Sequence, residues 1–280
     1  MDNETHYIDK SIKNTQPSPH VILIDGSYFC FHRFHALKKW WSLAEKGACE
    51  NPCDNTEFVD KFRTTFLQKL NEIKKKLKIK NAHMYVAKDC AKKDIWRSAH
   101  YDVYKQNRPH DKNIGYFFQM AYDELFKQAN VQEILNINRL EADDCIALAT
   151  KALLKQGDRN IYIIANDMDY LQLVSESVHI YNMSFANIAQ NKNSTGDPKL
   201  DLFCKIVCGD KSDNIPGVFQ TCGKKTAIKM YNDPEAFEAK LRKENLFDRM
   251  KKNRMLIDFN YIPQELCDEF NQKYFEILKQ

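Results

Sequence analysis

Val21-Ile-Leu-Ile-Asp25 is an apolar run that ends on a carboxylate, and the chain uses the device twice more. His83-Met-Tyr-Val86 comes shortly before Asp89, and Ile161-Tyr-Ile-Ile-Ala165 comes before Asp167. Short apolar runs bounded by turn residues read as buried strands, and strands that alternate with helical patterns predict right-handed βαβ units and a parallel sheet. In such a sheet ligands collect beyond the carboxyl ends of the strands. Acids at those ends therefore converge in space although far apart in sequence, and convergent carboxylates repel unless cations neutralise them. The pattern predicts an acidic mouth that collects metal.

Working outward, Ser27 to Leu43 is aromatic and basic with helical spacing, and Thr56 to Leu77 places Phe58, Phe62, Phe66, Leu70, Ile73 and Leu77 on one helical face. Tyr116 to Asn130 reads as a helix, Val131 to Leu135 as a short strand, and Val178 to Tyr181 as an edge or final strand. Beyond Gly196 the pattern is mostly helical. The expected organisation is a flexible leader over 1–19, polar and carrying Pro17 and Pro19, an α/β domain over 20–199, and a smaller helical region over 200–280.

Six further acids fit the same mouth. Glu141, Asp143 and Asp144 open a helical segment, Asp169 follows Asp167 by two residues, and Asp210 and Asp213 lie in the turn-rich Gly209-Asp-Lys-Ser-Asp-Asn-Ile-Pro-Gly217. Taken singly, each has a duller explanation as a helix cap or turn residue. Jointly, acids at the ends of alternating strands exceed what caps require. An oxygen-only donor set suits Mg²⁺ or Mn²⁺ rather than zinc or copper. Two such ions held ~4 Å apart promote in-line displacement at a phosphate by water, so phosphodiester hydrolysis is the expected chemistry. The scattered histidines offer no partner for a Ser or Cys nucleophile.

A chain of 280 residues with 43% hydrophobic content can build a real core. Setting nine of its 38 acids aside leaves a body with more cationic excess than the formal +4, which suits a polyanionic partner. The nine cysteines are odd in number and spread along the chain, and neither a signal peptide nor a membrane-spanning apolar stretch is visible. An intracellular, reducing compartment, cytoplasmic or nuclear, in a cellular or viral setting, is expected. Neither Cys49 with Cys53 nor Cys204 with Cys208 has the spacing of a structural zinc site.

Two basic segments accompany the acids. Lys92 to Pro109 interleaves cations and aromatics (Trp96, Arg97, Tyr101, Tyr104, Lys105, Arg108), which suits phosphates and stacked bases. Gly217-Val-Phe-Gln-Thr-Cys-Gly-Lys-Lys-Thr226 superficially matches a Walker A loop, but five residues separate its glycines and a second Lys precedes Thr226. The better reading is a turn at Gly223 entering a helix whose free N–H groups, with Lys224, Lys225 and Thr226, hold a backbone phosphate.

In these segments the chain resembles the structure-specific 5′ nuclease family of flap endonucleases, phage 5′–3′ exonucleases and phage RNase H-type primer-removal nucleases. The resemblance runs from Val21 to Met230 through Val21-Ile-Leu-Ile-Asp-Gly26, Asp89 to Arg97, Tyr104-Lys-Gln-Asn-Arg-Pro109, Glu141-Ala-Asp-Asp144, Asn166-Asp-Met-Asp169 and Gly209 to Gly217. It implies a PIN-like core with a mainly parallel central sheet flanked by helices, and a small C-terminal helix-three-turn-helix region, from Gly209 to Met230, that grips duplex backbone. It implies two Mg²⁺ ions, replaceable by Mn²⁺, on Asp25, Asp89, Glu141, Asp143, Asp144, Asp167, Asp169, Asp210 and Asp213, and a K⁺ ion at the helix-three-turn-helix. By the same resemblance Lys105 and Arg108 lie at the base of a helical arch on the scissile phosphate, Tyr104 stacks on a terminal base, and Arg97 sits on that approach.

The chain departs from the family at Ala87-Lys-Asp89, where many relatives have Phe-Asp-Gly, and in the Gly217 to Gly223 turn. The expected protein is a free-standing monomer acting on DNA with 5′ flaps, nicks or 5′ ends, or on RNA-primed duplex, in replication or repair alongside other replication proteins. The alternatives are a PIN-type ribonuclease on single-stranded RNA and a non-catalytic DNA-junction binder. A PIN ribonuclease needs no duplex-gripping annex, and a vestigial binder would have lost acids that this chain retains.

Overall fold

Strand β1 (His20–Asp25) is the middle of a five-stranded sheet of order β3-β2-β1-β4-β5, completed by β2 (Ala82–Ala87), β3 (Glu133–Leu135), β4 (Ile161–Ile164) and β5 (Val178–Tyr181). The structure is a computed structural model that describes residues 20–44, 49, 51–107, 113–157 and 159–279. The expected leader over 1–19 lies outside the described residues. Every pairing is parallel, with Asp25 level with Ala87 of β2 and Ile24 level with Ile164 of β4. The chain winds outward from β1 to β2 and β3, then returns to the other side of β1 for β4 and β5. The order thus reverses beside β1, and the crevice at such a switch point is where ligands bind in open α/β sheets.

Alternation along the strands separates two cores. Val21 and Leu23 face one side, with α5 (Ala142–Leu154) and α10 (Gln264–Leu278), and Ile22 and Ile24 face the other, with α1 (Gly26–Leu43), α2 (Thr56–Lys76), α3 (Ile114–Met120) and α4 (Phe126–Gln128). The expected α2 face is buried at Phe58, Phe62, Phe66, Leu70 and Ile73, and the three phenylalanine rings meet Phe117 and Phe126 from α3 and α4. Burial of each such side chain contributes about 1.5–3 kcal/mol. A π-helical turn over Ala121–Leu125 joins α3 to α4.

A third core is built by α6 (Pro198–Cys208), α7 (Lys224–Asn232), α8 (Pro234–Glu244) and α9 (Phe247–Ile257), and it takes in Ile95 and Tyr104. The helical region is not one block apart from the sheet. Helix α10 buries Phe270, Tyr274 and Leu278 against the sheet face, Tyr85 Oη donates to the Ile277 carbonyl at 3.1 Å, and Tyr274 Oη accepts from Asn136 N at 2.8 Å. Among the described residues no helix is long and apolar enough to cross a membrane.

Candidate metal centre

Asp25 ends β1 and caps α1, accepting from Tyr28 N at 2.9 Å on Oδ1 while Oδ2 accepts from Tyr170 Oη at 2.9 Å. Cap and site readings coexist, because a carboxylate has two oxygens and several lone pairs. Gly26 lets α1 start hard against β2, since a Cβ there would stand 2.6 Å from the Ala87 carbonyl oxygen. Across the switch point Asp167 caps the 3₁₀ turn after β4 and accepts from Asp169 N at 3.0 Å. From β2, Asp89 accepts from Ala142 N at 2.8 Å and from the Ser27 hydroxyl, which ties it to the starts of α5 and α1.

Two groups of acids are compact. In each of Glu141, Asp143, Asp144 and Asp169, Asp210, Asp213, one ligand oxygen per residue lies within 4.8 Å of the others. Tyr104 links the groups, its Oη standing 3.0 Å from Glu141 and 3.2 Å from Asp213. The second group is placed by a tight loop in which Asp210 and Ile215 exchange backbone hydrogen bonds of 2.8 and 2.7 Å. Gly209, at φ +73°, opens that loop in a conformation that favours glycine.

Crowding shows in the proton affinities. Burial, and then the charge of Asp89, pushes the Asp25 carboxyl up to about 7. Burial and Asp167 bring Asp169 to about 7, while burial with Asp144 and Glu141 raises Asp143 well above the usual range. Burial alone would raise Glu141, yet Lys105 and Arg97 hold it below the ordinary carboxylate value. Burial also opposes ionisation of Asp210, and Lys205 overcomes it. An all-oxygen set in which three carboxyls resist ionisation is what a divalent cation relieves, so the residues present fit Mg²⁺ or Mn²⁺.

Several expected roles are corrected. Arg97 is 1% exposed, so it does not line a substrate approach. Its guanidinium forks onto Asp144 at 2.8 and 2.7 Å, reaches Glu141 at 2.9 Å and donates through Nε to the Leu256 carbonyl at 2.8 Å. Asp144 in turn is fully buried and also accepts from Trp96 Nε1 and the Glu141 N–H, so both its oxygens are engaged by this anchor. Tyr104 is 5% exposed, so its ring offers no open face for a stacked base. Lys105 points inward to Glu141 and Asp213, at a left-handed φ of +51° stabilised by its N–H on the Asp213 carbonyl at 3.0 Å.

Lys224, expected to hold a backbone phosphate, pairs with an acid: its ammonium lies 3.0 Å from Asp201 and donates to the Asn193 carbonyl. Gly223, Lys225 and Thr226 are exposed at the start of α7. Arg108 and the middle of the expected arch lie outside the described residues.

Lys205 on α6 was not singled out, yet its ammonium sits 2.8 Å from Asp169 and 2.7 Å from Asp210. The available signal was its position one helical turn before the acidic loop. Tyr170, immediately after Asp169, was missed likewise.

A profile described as "5'-3' exonuclease, N-terminal resolvase-like domain" matches residues 20–198. Ribonuclease H of Enterobacteria phage T4 is 31% identical over 209 residues, 66% of this chain and 67% of that protein. A 5'-3' exonuclease of Buchnera aphidicola is 27% identical over 241 residues, 84% of this chain and 76% of that protein. In fold, the chain matches the flap endonuclease of bacteriophage T5 crystallised with DNA and metal ions. That match has TM-score 0.65 at 16% identity and covers 93% of this chain and 100% of the other.

Proposed function

Because the chain belongs to the 5′–3′ exonuclease family, we propose that it is a Mg²⁺-dependent structure-specific nuclease that cuts 5′ flaps or removes 5′-terminal nucleotides from DNA or RNA-primed duplex during replication or repair. It is a phosphodiester hydrolase of the 5′–3′ exonuclease and flap endonuclease kind. The observation that carries the finer reading is the convergence of acids from several separate segments on one mouth at the reversal of strand order. In this reading Glu141 and Asp143, with Asp25 and Asp89, hold one ion, and Asp169, Asp210 and Asp213, with Asp167, hold the second. Ions bound there supply an activated water and neutralise the scissile phosphate.

The protein's own groups do the rest. Lys105 and Lys205 bring ammonium charge into the mouth, where a phosphate entering between the acids meets cations held in place. Tyr104 and Arg97 fix Glu141, so its oxygens face the mouth in one orientation. Exposed Lys225 and Thr226 and the N-terminus of α7 meet the duplex backbone. The placement of α6 to α9 beside the mouth supports a duplex substrate over single-stranded RNA. The K⁺ ion at the helix-three-turn-helix rests on the family resemblance alone. The protein works as a monomer in a reducing intracellular compartment in this reading.

The test is a time course on a 5′-labelled flap, a nicked duplex and an RNA-primed duplex, with Mg²⁺ and then with chelator. Metal-dependent release of short 5′ products is expected. Absence of cleavage on all three substrates would refute the reading.

A further inference from the structure

Asp201 and Lys205 lie one turn apart on α6 and therefore on one face of it. Each holds a different part of the molecule. Lys205 pairs with Asp169 and Asp210 in the acidic mouth. Asp201, 8% exposed, pairs with Lys224, the first residue of α7, at 3.0 Å. It also gathers the loop before α6, accepting from Thr195 N at 2.8 and 3.0 Å and from Ser194 Oγ at 2.7 Å. The Lys224 ammonium completes the knot by donating to the Asn193 carbonyl. Three segments, the 193–195 loop, α6 and the entry of α7, thus meet at one carboxylate that the site chemistry does not use.

We propose that α6 is a strut that sets the distance between the duplex grip and the cleavage site, with Asp201 as the positioning residue and Lys224 as its pin rather than a phosphate ligand. The entry of α7 is anchored by this ion pair to the helix whose next turn anchors the acids. A duplex phosphate held at the α7 entry is therefore kept at one spacing from the scissile phosphate, and that spacing selects which bond is cut. The Asp197 cap, accepting from Lys199 N at 2.8 Å, and Pro198 in the first turn stiffen the same end of α6. The inference rests on the nuclease reading for its cleavage readout.

The experiment compares full-length wild type with Asp201→Asn, Lys224→Met, the double variant and Asp201→Glu on a 5′-labelled flap duplex in Mg²⁺. Product lengths, KM and kcat are read from the same assays, and duplex affinity is read by anisotropy in chelator across a salt series. Each single variant should raise KM about tenfold, more than it lowers kcat, and should spread cleavage onto neighbouring phosphates. The double variant should be no worse than either single one, and Asp201→Glu should restore the sharp product.

If Lys224 instead binds a phosphate, Lys224→Met should flatten the salt dependence by ~1 contact, Asp201→Asn should bind DNA more tightly, and products should stay sharp. That pattern overturns the strut. Should Asp201→Asn fail to fold, Lys224→Met alone separates the outcomes: unchanged salt slope with broadened products supports the strut, reduced slope with sharp products refutes it. A wild type that binds duplex but cuts nothing refutes the nuclease reading, and the coupling between Asp201 and Lys224 is then read from affinity. Additive losses in affinity would refute the strut on their own.

Discussion

The Lys205 ammonium stands 2.8 Å from the carboxylate of Asp169, which ties α6 to the turn leaving the sheet's carboxyl edge. A second link of 2.7 Å runs from the same nitrogen to Asp210. One cation thus neutralises acids from the sheet and from the helical lobe. Replacing it with methionine leaves two partly buried carboxylates facing each other. Lys205→Met is expected to lower stability by about 1–3 kcal/mol in chelator, measured by urea unfolding, and Mg²⁺ should recover much of that loss. Equal stability of variant and wild type in chelator would show that the pair contributes nothing.

Asp167 is exposed at the mouth and close enough to raise the carboxyls of Asp25 and Asp169. Asp167→Asn keeps the shape and removes the charge. Cleavage should drop by about 10²-fold or more, as when a single preorganised electrostatic group is removed elsewhere. Duplex affinity should hold or rise slightly, because binding comes mainly from phosphates meeting Lys and Arg. Turnover at the wild-type rate would remove Asp167 from the metal site.

Metal-free protein should lose stability as pH rises. Asp25 and Asp169, raised to about 7, keep protons in the folded state that the unfolded chain releases near pH ~4. Between those values the native state binds more protons, so stability falls with pH through about 7, by at most ~1.4 kcal/mol per unit for each group. Divalent ions displace those protons, so the gain in Tm from Mg²⁺ should grow toward pH 7 and above. Melting curves from about pH 5 to 8, with Mg²⁺ and with chelator, measure both slopes. The Asp25→Asn, Asp169→Asn double variant should flatten them, and an unchanged slope would locate the protons elsewhere.

Arg97 is an anchor, not a DNA contact. Arg97→Leu strands the buried Asp144 and weakens the hold on Glu141, so a loss of about 3–5 kcal/mol is expected. Its salt dependence of duplex binding, measured well below the lowered Tm, should match wild type. A salt slope shallower by ~1 would return Arg97 to the phosphate contacts.

Most of the architecture was readable because it depends on local pattern. Val21 to Ile24 is apolar at every position, as a strand covered on both faces must be, and the acid that follows marks its carboxyl end. The period of the α2 phenylalanines likewise selects a buried face without knowledge of its partner. The partners of Arg97, Tyr104 and Lys224 were not readable for the opposite reason. A cation or phenol serves solvent, phosphate or a buried acid with the same side chain, and the choice depends on what faces it.

Strand polarity and the placing of acids at strand ends follow from hydrophobic periodicity and from where turns must fall, and these are properties of neighbours along the chain. Which acid meets a cation, which meets an anchor and which stays free for metal is settled between residues far apart in sequence, such as Arg97 with Asp144 and Lys224 with Asp201. Coulomb interactions fall with distance and strengthen as water is excluded, and both quantities exist only once the chain has packed.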